Sequence, residues 1–322
     1  MKVPRTIYVA IAFVIFAALP AMAAVITLDD GAYHQLNGIY SEVAVYDTGQ
    51  NEPTTVELVT GGIITDLLIW GNSCAVLSGG RVDSDLAAYD NSNVSMTGGY
   101  IACLWPVHNS TVAMSGGLVG YASSYDSSVL NISGGEISHL RINEGSKVTI
   151  SGGNFPYVQP KANSLLEITD GVFGSVWPWD SSMTVSGGDL RYVSIGSTSH
   201  LNMRGGDIND LWGWETTTID IFGGSVSNLR AKHSSVITLH GYDFVAMGGL
   251  SFSGEQVLGI GILSGKWHDG TPWTMRITEH DSTALIIATG APEPSTLGLL
   301  AFGSLAMLRR WRHHNPYIAP LR

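Results

Sequence analysis

The chain has 322 residues, of which 44% are apolar and only 13% are charged, and 39 of them are glycine. This composition argues against wholesale disorder, a coiled coil and an ordinary helical protein, and it favours a turn-rich β protein with a packed core. Six of the 16 basic residues and one of the 27 acidic residues lie outside 24–291, and the acidic body that remains argues against nucleic acid as a ligand.

The first 23 residues have the features of a secretory signal peptide. A basic start is followed by an uncharged run over 7–19, which is short for crossing a bilayer core of ~30 Å. Ala21 and Ala23 stand at the positions that signal peptidase reads, so we expect 1–23 to be removed by cleavage before Ala24. The alternative is an uncleaved anchor helix. In either case the body is expected outside the cytoplasm.

A repeat of about 18 residues extends over 55–247 and is marked by paired glycines or one close substitute. When the second glycine is taken as position zero, positions −3 and +2 are apolar in every repeat. Positions −5 and +5 are apolar in all but one repeat each, where Glu57 and Asp85 stand. This alternation predicts a strand with one buried face before the glycine pair and a second strand after it. Position −7 is serine or threonine from Thr55 to Ser235, and such a hydroxyl can bond the backbone at a corner.

One 18-residue unit cannot bury its own apolar face, but stacked units can. We therefore predict an all-β fold, a single-stranded parallel β-helix (β-solenoid) of the right-handed type, with about 18 residues per coil and ten or eleven coils. The spacings of the left-handed hexapeptide type and of the calcium-binding nonapeptide type are absent, so no metal and no cofactor is implied. The repeat at 129–135 resembles the Ser-Gly-Gly repeats of bacterial surface and autotransporter passenger proteins. This resemblance implies the architecture and leaves the function open.

The segments 24–54 and 248–290 fall outside the repeat register. A solenoid needs covered ends, because an open sheet edge can pair with another chain. We therefore expect these segments to form an N-terminal and a C-terminal β cap. In the second segment the sequence predicts strands over 257–263, 273–277 and 284–287.

The six tryptophans of the repeat region all stand at position +6 or +8, and one tyrosine joins them. If +5 and +7 point inward, as Leu140 with Ile142 and Val193 with Ile195 indicate, then +6 and +8 point outward, and an exposed aromatic stripe on a rod requires an explanation. Tryptophan rings stack on the apolar faces of sugars, so we interpret the stripe as a polysaccharide-binding site. The alternative is that these rings only pack on one another across coils. The candidate residues are Trp70, Trp105, Tyr125, Trp177, Trp179, Trp212 and Trp214.

Other chemistry-bearing residues form no strong constellation. Asp189, Asp207 and Asp210 lie near one another in the repeat frame and are the candidates for the acid and base of a polysaccharide-cleaving enzyme, although solvated turn aspartates have the same pattern. Cys74 and Cys103 are expected far apart, at different points of the coil perimeter, which disfavours a disulfide. The histidines show no metal-binding spacing, and no nucleophile elbow or phosphate-binding loop occurs.

The C-terminal segment 291–312 combines a Pro-Glu-Pro motif, a short apolar run and an arginine cluster in this order, followed by a tail over 313–322. The motif residues are Pro292, Glu293 and Pro294, and the cluster consists of Arg309, Arg310 and Arg312. This arrangement resembles the PEP-CTERM protein-sorting domain. The resemblance implies export, a transient membrane anchor, processing by an exosortase and association with an exopolysaccharide matrix. A plain transmembrane anchor is the alternative.

These observations together predict an exported, non-enzymatic protein of the cell surface or extracellular matrix. We expect a structural or adhesive role, with polysaccharide as a partner of the aromatic stripe. Two alternatives stay open: a polysaccharide lyase or glycoside hydrolase on a parallel β-helix, and a surface scaffold that associates with copies of itself.

Overall fold

The computed structural model describes residues 24–49 and 52–289 and confirms the predicted β-solenoid. It is all-β, with 68% of residues in strands, no helix in the described part, and about 12 turns of about 18 residues. The first half of the chain contains β1 (Ala24–Leu28), β2 (Tyr33–Leu36), β3 (Ile39–Val45), β4 (Thr55–Leu58), β5 (Ile63–Ile69), β6 (Cys74–Leu77), β7 (Arg81–Ala88), β8 (Asn93–Met96), β9 (Tyr100–Pro106), β10 (Thr111–Met114), β11 (Leu118–Ser124), β12 (Val129–Ile132) and β13 (Glu136–Ile142). The second half contains β14 (Lys147–Pro160), β15 (Leu165–Val176), β16 (Ser182–Ile195), β17 (His200–Gly213), β18 (Thr218–Ile221), β19 (Ser225–Ala231), β20 (Val236–Gly248), β21 (Ser251–Ser253), β22 (Gln256–Leu258), β23 (Gly261–Trp267), β24 (Pro272–His280) and β25 (Leu285–Thr289).

Each coil contributes one short and one long strand segment, and the segments stack into two parallel sheets. The short-strand sheet contains β2, β4, β6, β8, β10, β12, β18, the first part of β20, and β25. The long-strand sheet contains β1, β3, β5, β7, β9, β11, β13, β19 and β24. In the middle of the rod β14 to β17 run through the glycine corner, so each belongs to both sheets.

The inward-facing side chains of the two sheets form one continuous apolar core along the rod. In a typical coil, Leu130, Ile132, Ile137 and Leu140 occupy positions −5, −3, +2 and +5, and all four are buried. The widest side chains of the repeat core are Phe155 and Phe173, which stack at +2 of consecutive coils with ring centroids 5.1 Å apart. Burial of one such side chain stabilises the fold by about 1.5–3 kcal/mol.

The glycine pair makes the corner between the short and the long segment. Its second member has a positive φ, for example +90° at Gly188, a region that other residues enter at a cost. Its first member lies against the backbone of the preceding coil, and a Cβ on Gly187 would be 2.0 Å from the carbonyl oxygen of Thr169. The backbone angle therefore favours glycine at the second position, and the close approach of the preceding coil favours it at the first.

The opposite corner is a turn that ends at the recurrent serine or threonine. The N–H of Ser146 donates to the carbonyl of Asn143 at 3.0 Å, and the same turn recurs in most coils. These side chains are buried, but only some hydroxyls bond the backbone, as that of Ser146 does to Asn143 O at 2.6 Å. In the first repeat the buried hydroxyl belongs to Thr54 and not to Thr55, which faces partly outward.

The two exceptions in the repeat pattern arise from single-residue insertions. Leu58 pairs with Leu77, so the turn before Gly62 is one residue longer than in later coils, and Glu57 faces outward. The register also shifts near Asp85, where Leu86 takes the buried position instead. The core pattern is therefore unbroken in both coils.

The two segments expected as caps both add stacked strands, which raises the number of turns above ten or eleven. In the first, β1 pairs with β3 and β2 with β4, both in parallel register, so 24–49 forms a further coil. In the second, β24 and β25 stack on β19 and β20. Antiparallel β23 and β22 then cover the outer edges of β24 and β25.

The expected signal peptide (1–23), the sorting segment (291–312) and the tail (313–322) lie outside the described residues. In the part of the chain that the structure describes, no helix has the length and apolar character needed to cross a membrane.

Candidate functional site

The outer surface of the long-strand sheet carries two straight rows of residues that end each long segment, and we call this surface the aromatic face. Each member of a row lies one coil above the last, about 4.8 Å away. The inner row is Ala44, Leu68, Ala87, Trp105, Ser123, Arg141, Gln159, Trp177, Ser194, Trp212 and Arg230. The outer row is Tyr46, Trp70, Tyr89, Val107, Tyr125, Asn143, Lys161, Trp179, Gly196, Trp214 and Lys232.

All seven aromatic residues that the sequence singled out lie on the aromatic face and outside the core. The structure divides them, however, into rings enclosed by neighbours and rings open to solvent. The enclosed group contains Trp70 and Trp105, and the open group contains Trp177 and Trp179.

Trp70 is enclosed in a stack of three rings. Tyr46 lies on one side at 6.3 Å and Tyr89 on the other at 3.9 Å, with interplanar angles of 9° and 13°. The indole N–H is buried and has no hydrogen-bond partner within the described residues. Both ring faces are therefore occupied by protein, and this tryptophan packs as the alternative interpretation expected.

Trp105 is also held by its neighbours. Its Nε1–H donates to Asp85 Oδ1 at 2.6 Å, and its ring contacts Tyr121 at 5.4 Å and Tyr125 at 6.4 Å. Arg141 lies 5.7 Å from the Tyr121 ring centroid. This group, from Asp85 to Arg141, spans four neighbouring coils and forms a second packed cluster on the face.

Near the C-terminal end, a chain of ring contacts forms what we call the C-terminal patch. Trp177 contacts Tyr192 at 5.4 Å, Tyr192 contacts Trp212 at 5.5 Å, and Trp212 stacks on Trp214 at 5.3 Å. Tyr192 was missed by the sequence analysis because it stands at +4. The sequence did contain a signal for it: because +2 and +5 are apolar and buried, the two positions between them, +3 and +4, are expected to face outward.

The two most exposed tryptophans of the patch are Trp177, at 40%, and Trp179, at 48%. They flank Pro178, which is buried and fixes the backbone between them. The ring of Trp179 lies over Gly196 of the next coil, where a Cβ would be 2.7 Å from Cζ3. The absence of a Cβ at Gly196 thus allows the indole to approach the next coil closely, while 48% of Trp179 remains exposed.

Basic side chains lie on the rings at the end of the patch. The Arg230 guanidinium is 4.1 Å from the Trp212 ring centroid, and Lys232 Nζ is 4.9 Å from that of Trp214. Lys232 also pairs with Glu279 at 2.6 Å. Arg230 forms no ion pair within the described residues, and its buried Nε has no hydrogen-bond partner there.

The three candidate catalytic aspartates are only partly brought together. Asp189 and Asp207 are neighbours in the parallel ladder beside the glycine corner, and both are exposed. Asp210 lies three residues further along, next to Tyr192, and accepts from Asn209 Nδ2 at 2.8 Å.

The cysteines and histidines provide no further site. Cys74 lies in the short-strand sheet and Cys103 in the long-strand sheet, and both are free. Burial, together with the nearby Asp85 carboxylate, raises the pKa of the Cys103 thiol. Within residues 24–49 and 52–289, no group of three or more His, Cys, Asp or Glu side chains is arranged to hold a metal ion.

Comparisons with family models, with curated proteins and with solved structures each give no match to this chain.

Proposed function

We propose that this protein is an exported, non-enzymatic scaffold of the cell surface or extracellular matrix that binds polysaccharide through the C-terminal patch. The observation that carries the proposal is the pair Trp177 and Trp179, whose rings are exposed on a rigid sheet. An exposed apolar patch on a soluble rod marks an interaction surface. Export rests on the sequence of 1–23 and on the resemblance of 291–312 to a sorting domain.

The geometry favours a chain polymer over a small ligand. The aromatic face is a flat row with one coil every ~4.8 Å, and it offers ring faces without a deep cavity. Rings fixed in the sheet lose little conformational freedom on binding, which favours affinity. Trp70 and Trp105 have no free ring face of this kind and are assigned to packing.

A polysaccharide-cleaving enzyme is the less favoured alternative. A glycoside hydrolase needs two carboxyl groups that flank one glycosidic bond. Asp189 and Asp207 instead stand side by side on an exposed corner, in the same row of one sheet. We therefore propose that they act only as solvated surface groups.

The proposal is tested by titrating the purified protein with extracted exopolysaccharide and with plant and algal glycans while tryptophan fluorescence is followed. A saturable shift without new reducing ends is the expected result. Release of new reducing ends would show that the protein cleaves the polysaccharide and is an enzyme, not a binding scaffold. No shift with any polymer would leave all the tryptophans structural and end the binding proposal.

Self-association is a second candidate, and it is favoured by the uneven protection of the two ends. In the described chain β1 pairs only with β3 and β2 only with β4, so their outer edges are open. Val25 and Tyr33 on these strands are 67% and 58% exposed. Light scattering over a range of concentrations tests this: a rising mass that Val25→Lys abolishes supports it, and a constant monomer mass refutes it.

A further inference from the structure

The charge distribution on the aromatic face differs from that of the rest of the protein. Between residues 24 and 291 there remain 10 basic and 26 acidic residues, once the six basic residues and the one acidic residue outside are subtracted from 16 and 27. The two rows of the aromatic face, from Ala44 to Lys232, nevertheless contain four basic residues and no acidic residue. Carboxylates enter the same rows only in the first and last coils, at Asp29, Glu279 and Asp281.

The basic residues lie on either side of the exposed tryptophans. Arg141 and Lys161 are on the two coils before Trp177 and Trp179, and Arg230 is on the coil after Trp212. From the inter-coil spacing, the distance from the first basic group to Arg230 is on the order of 24 Å, enough for several sugar units. The exposed rings of Trp177 and Trp179 therefore lie between cations at both ends of this stretch of the face.

Three of the four cations lack a carboxylate partner among the described residues. Arg141, Lys161 and Arg230 form no ion pair in the described part of the chain, whereas Lys232 is paired with Glu279. Two other carboxylates on this surface, those of Asp85 and Asp210, accept hydrogen bonds from Trp105 and Asn209 respectively. Unpaired cations in an acidic protein, next to ring faces, match a ligand that carries negative charge.

Arg230 shows how the two features would act together. Its guanidinium is stacked 4.1 Å from the Trp212 centroid, and this face-on contact leaves in-plane N–H groups for an acceptor. A planar guanidinium binds a carboxylate with two parallel hydrogen bonds. Its Nε is buried without a hydrogen-bond partner in the described residues, so the terminal N–H groups are the donors that remain for such a ligand.

We propose that the ligand of the aromatic face is an acidic polysaccharide with carboxylates on its sugar units, the uronate type. This inference rests on the proposed function and specifies the ligand class of the same site. Sugar rings would stack on Trp177 and Trp179, while uronate carboxylates bind Arg141, Lys161 and Arg230. Nucleic acid also combines stacking with charge, so single-stranded DNA is included in the test as a competing polyanion.

The test uses polygalacturonate, the same polymer after reduction of its carboxyl groups, and single-stranded DNA, each titrated against the full chain in moderate salt. The uronate polymer should bind at least about tenfold more tightly than the reduced polymer, and added salt should remove most of this difference. Equal affinity for both glycans overturns the acidic-ligand inference and keeps polysaccharide binding. Binding to neither glycan ends both proposals. Equally tight binding of DNA shows a general polyanion site and also overturns the inference.

A variant pair distinguishes a local site from net charge. R141Q/K161Q/R230Q removes the three unpaired cations of the face and should lower uronate affinity roughly tenfold, at about 0.5 kcal/mol for each exposed ion pair. The control R81Q/K147Q/K266Q removes three cations elsewhere and should leave that affinity within about twofold. Unchanged melting temperatures show that the variants fold. Equal losses in the two variants would overturn the assignment to the face.

Discussion

The indole of Trp179 lies on Gly196 of the following coil, and this contact sets the orientation of the most exposed ring of the patch. A Cβ at position 196 would be within 2.7 Å of Cζ3 and 2.8 Å of Cε3, so the ring must move away. We predict that Gly196→Ala weakens polysaccharide binding several-fold while it lowers the free energy of unfolding by less than about 1 kcal/mol, since the ring is largely in solvent. Calorimetric titration and thermal melting measure the two effects. Unchanged affinity would mean that Trp179 does not contact the polymer.

Trp70→Ala should have the opposite effect. This ring is stacked between Tyr46 and Tyr89, so its removal leaves both tyrosines without their packing partner. We expect a loss of about 2–3 kcal/mol of stability and no change in polysaccharide affinity. Urea unfolding gives the first quantity. A loss below about 0.5 kcal/mol would contradict the packing role assigned to this tryptophan.

Gly187, the first glycine of its pair, should be intolerant of a side chain. At Gly187 a Cβ would be 2.0 Å from Thr169 O, a backbone atom of the preceding coil that cannot move alone. Gly187→Ala should therefore cost about 3 kcal/mol or more. The control is Gly254→Ala, where φ is +61° and nothing lies within 4 Å, and where only the cost of the backbone angle, about 1 kcal/mol, is expected. Similar losses in both would show that contact between coils does not select the first glycine.

The surface carboxylate of Asp180 should make a small contribution to the free energy of unfolding, and this contribution should depend on pH. Hydrogen bonds from Ser197 Oγ at 2.5 Å and from Thr198 hold the pKa of Asp180 below its usual value. Because the folded-state pKa is the lower one, the contribution is present above the unfolded-state pKa and is lost as pH falls through the folded-state pKa. Asp180→Asn should cost less than about 1 kcal/mol at neutral pH and nothing at low pH. If the difference in unfolding free energy between Asp180→Asn and the parent is the same at neutral and at low pH, the role assigned to the Asp180 carboxylate is wrong.

The fold was predictable because its pattern is local and repeated. The alternation around each glycine pair specifies which side chains enter the core, and positions +6 and +8 follow as outward positions. The stack of Tyr46 on Trp70 was not predictable, because Tyr46 lies in a segment without the repeat register, and the insertion near Asp85 moves Tyr89 out of its expected position. Whether a tryptophan is enclosed or exposed depends on the residues one coil away. The residue type at its own repeat position does not reveal this.

Direct binding measurements on Trp177→Ala/Trp179→Ala test the proposed function most sharply. These rings are exposed, so their removal should leave the melting temperature within a few degrees of the parent. We predict that affinity for the polysaccharide that binds the parent falls at least about tenfold, as expected when central aromatic contacts are lost. Trp70→Ala, in the same titration, should bind like the parent. Retained affinity in the double variant, with its fold intact, would show that polysaccharide does not bind at the C-terminal patch.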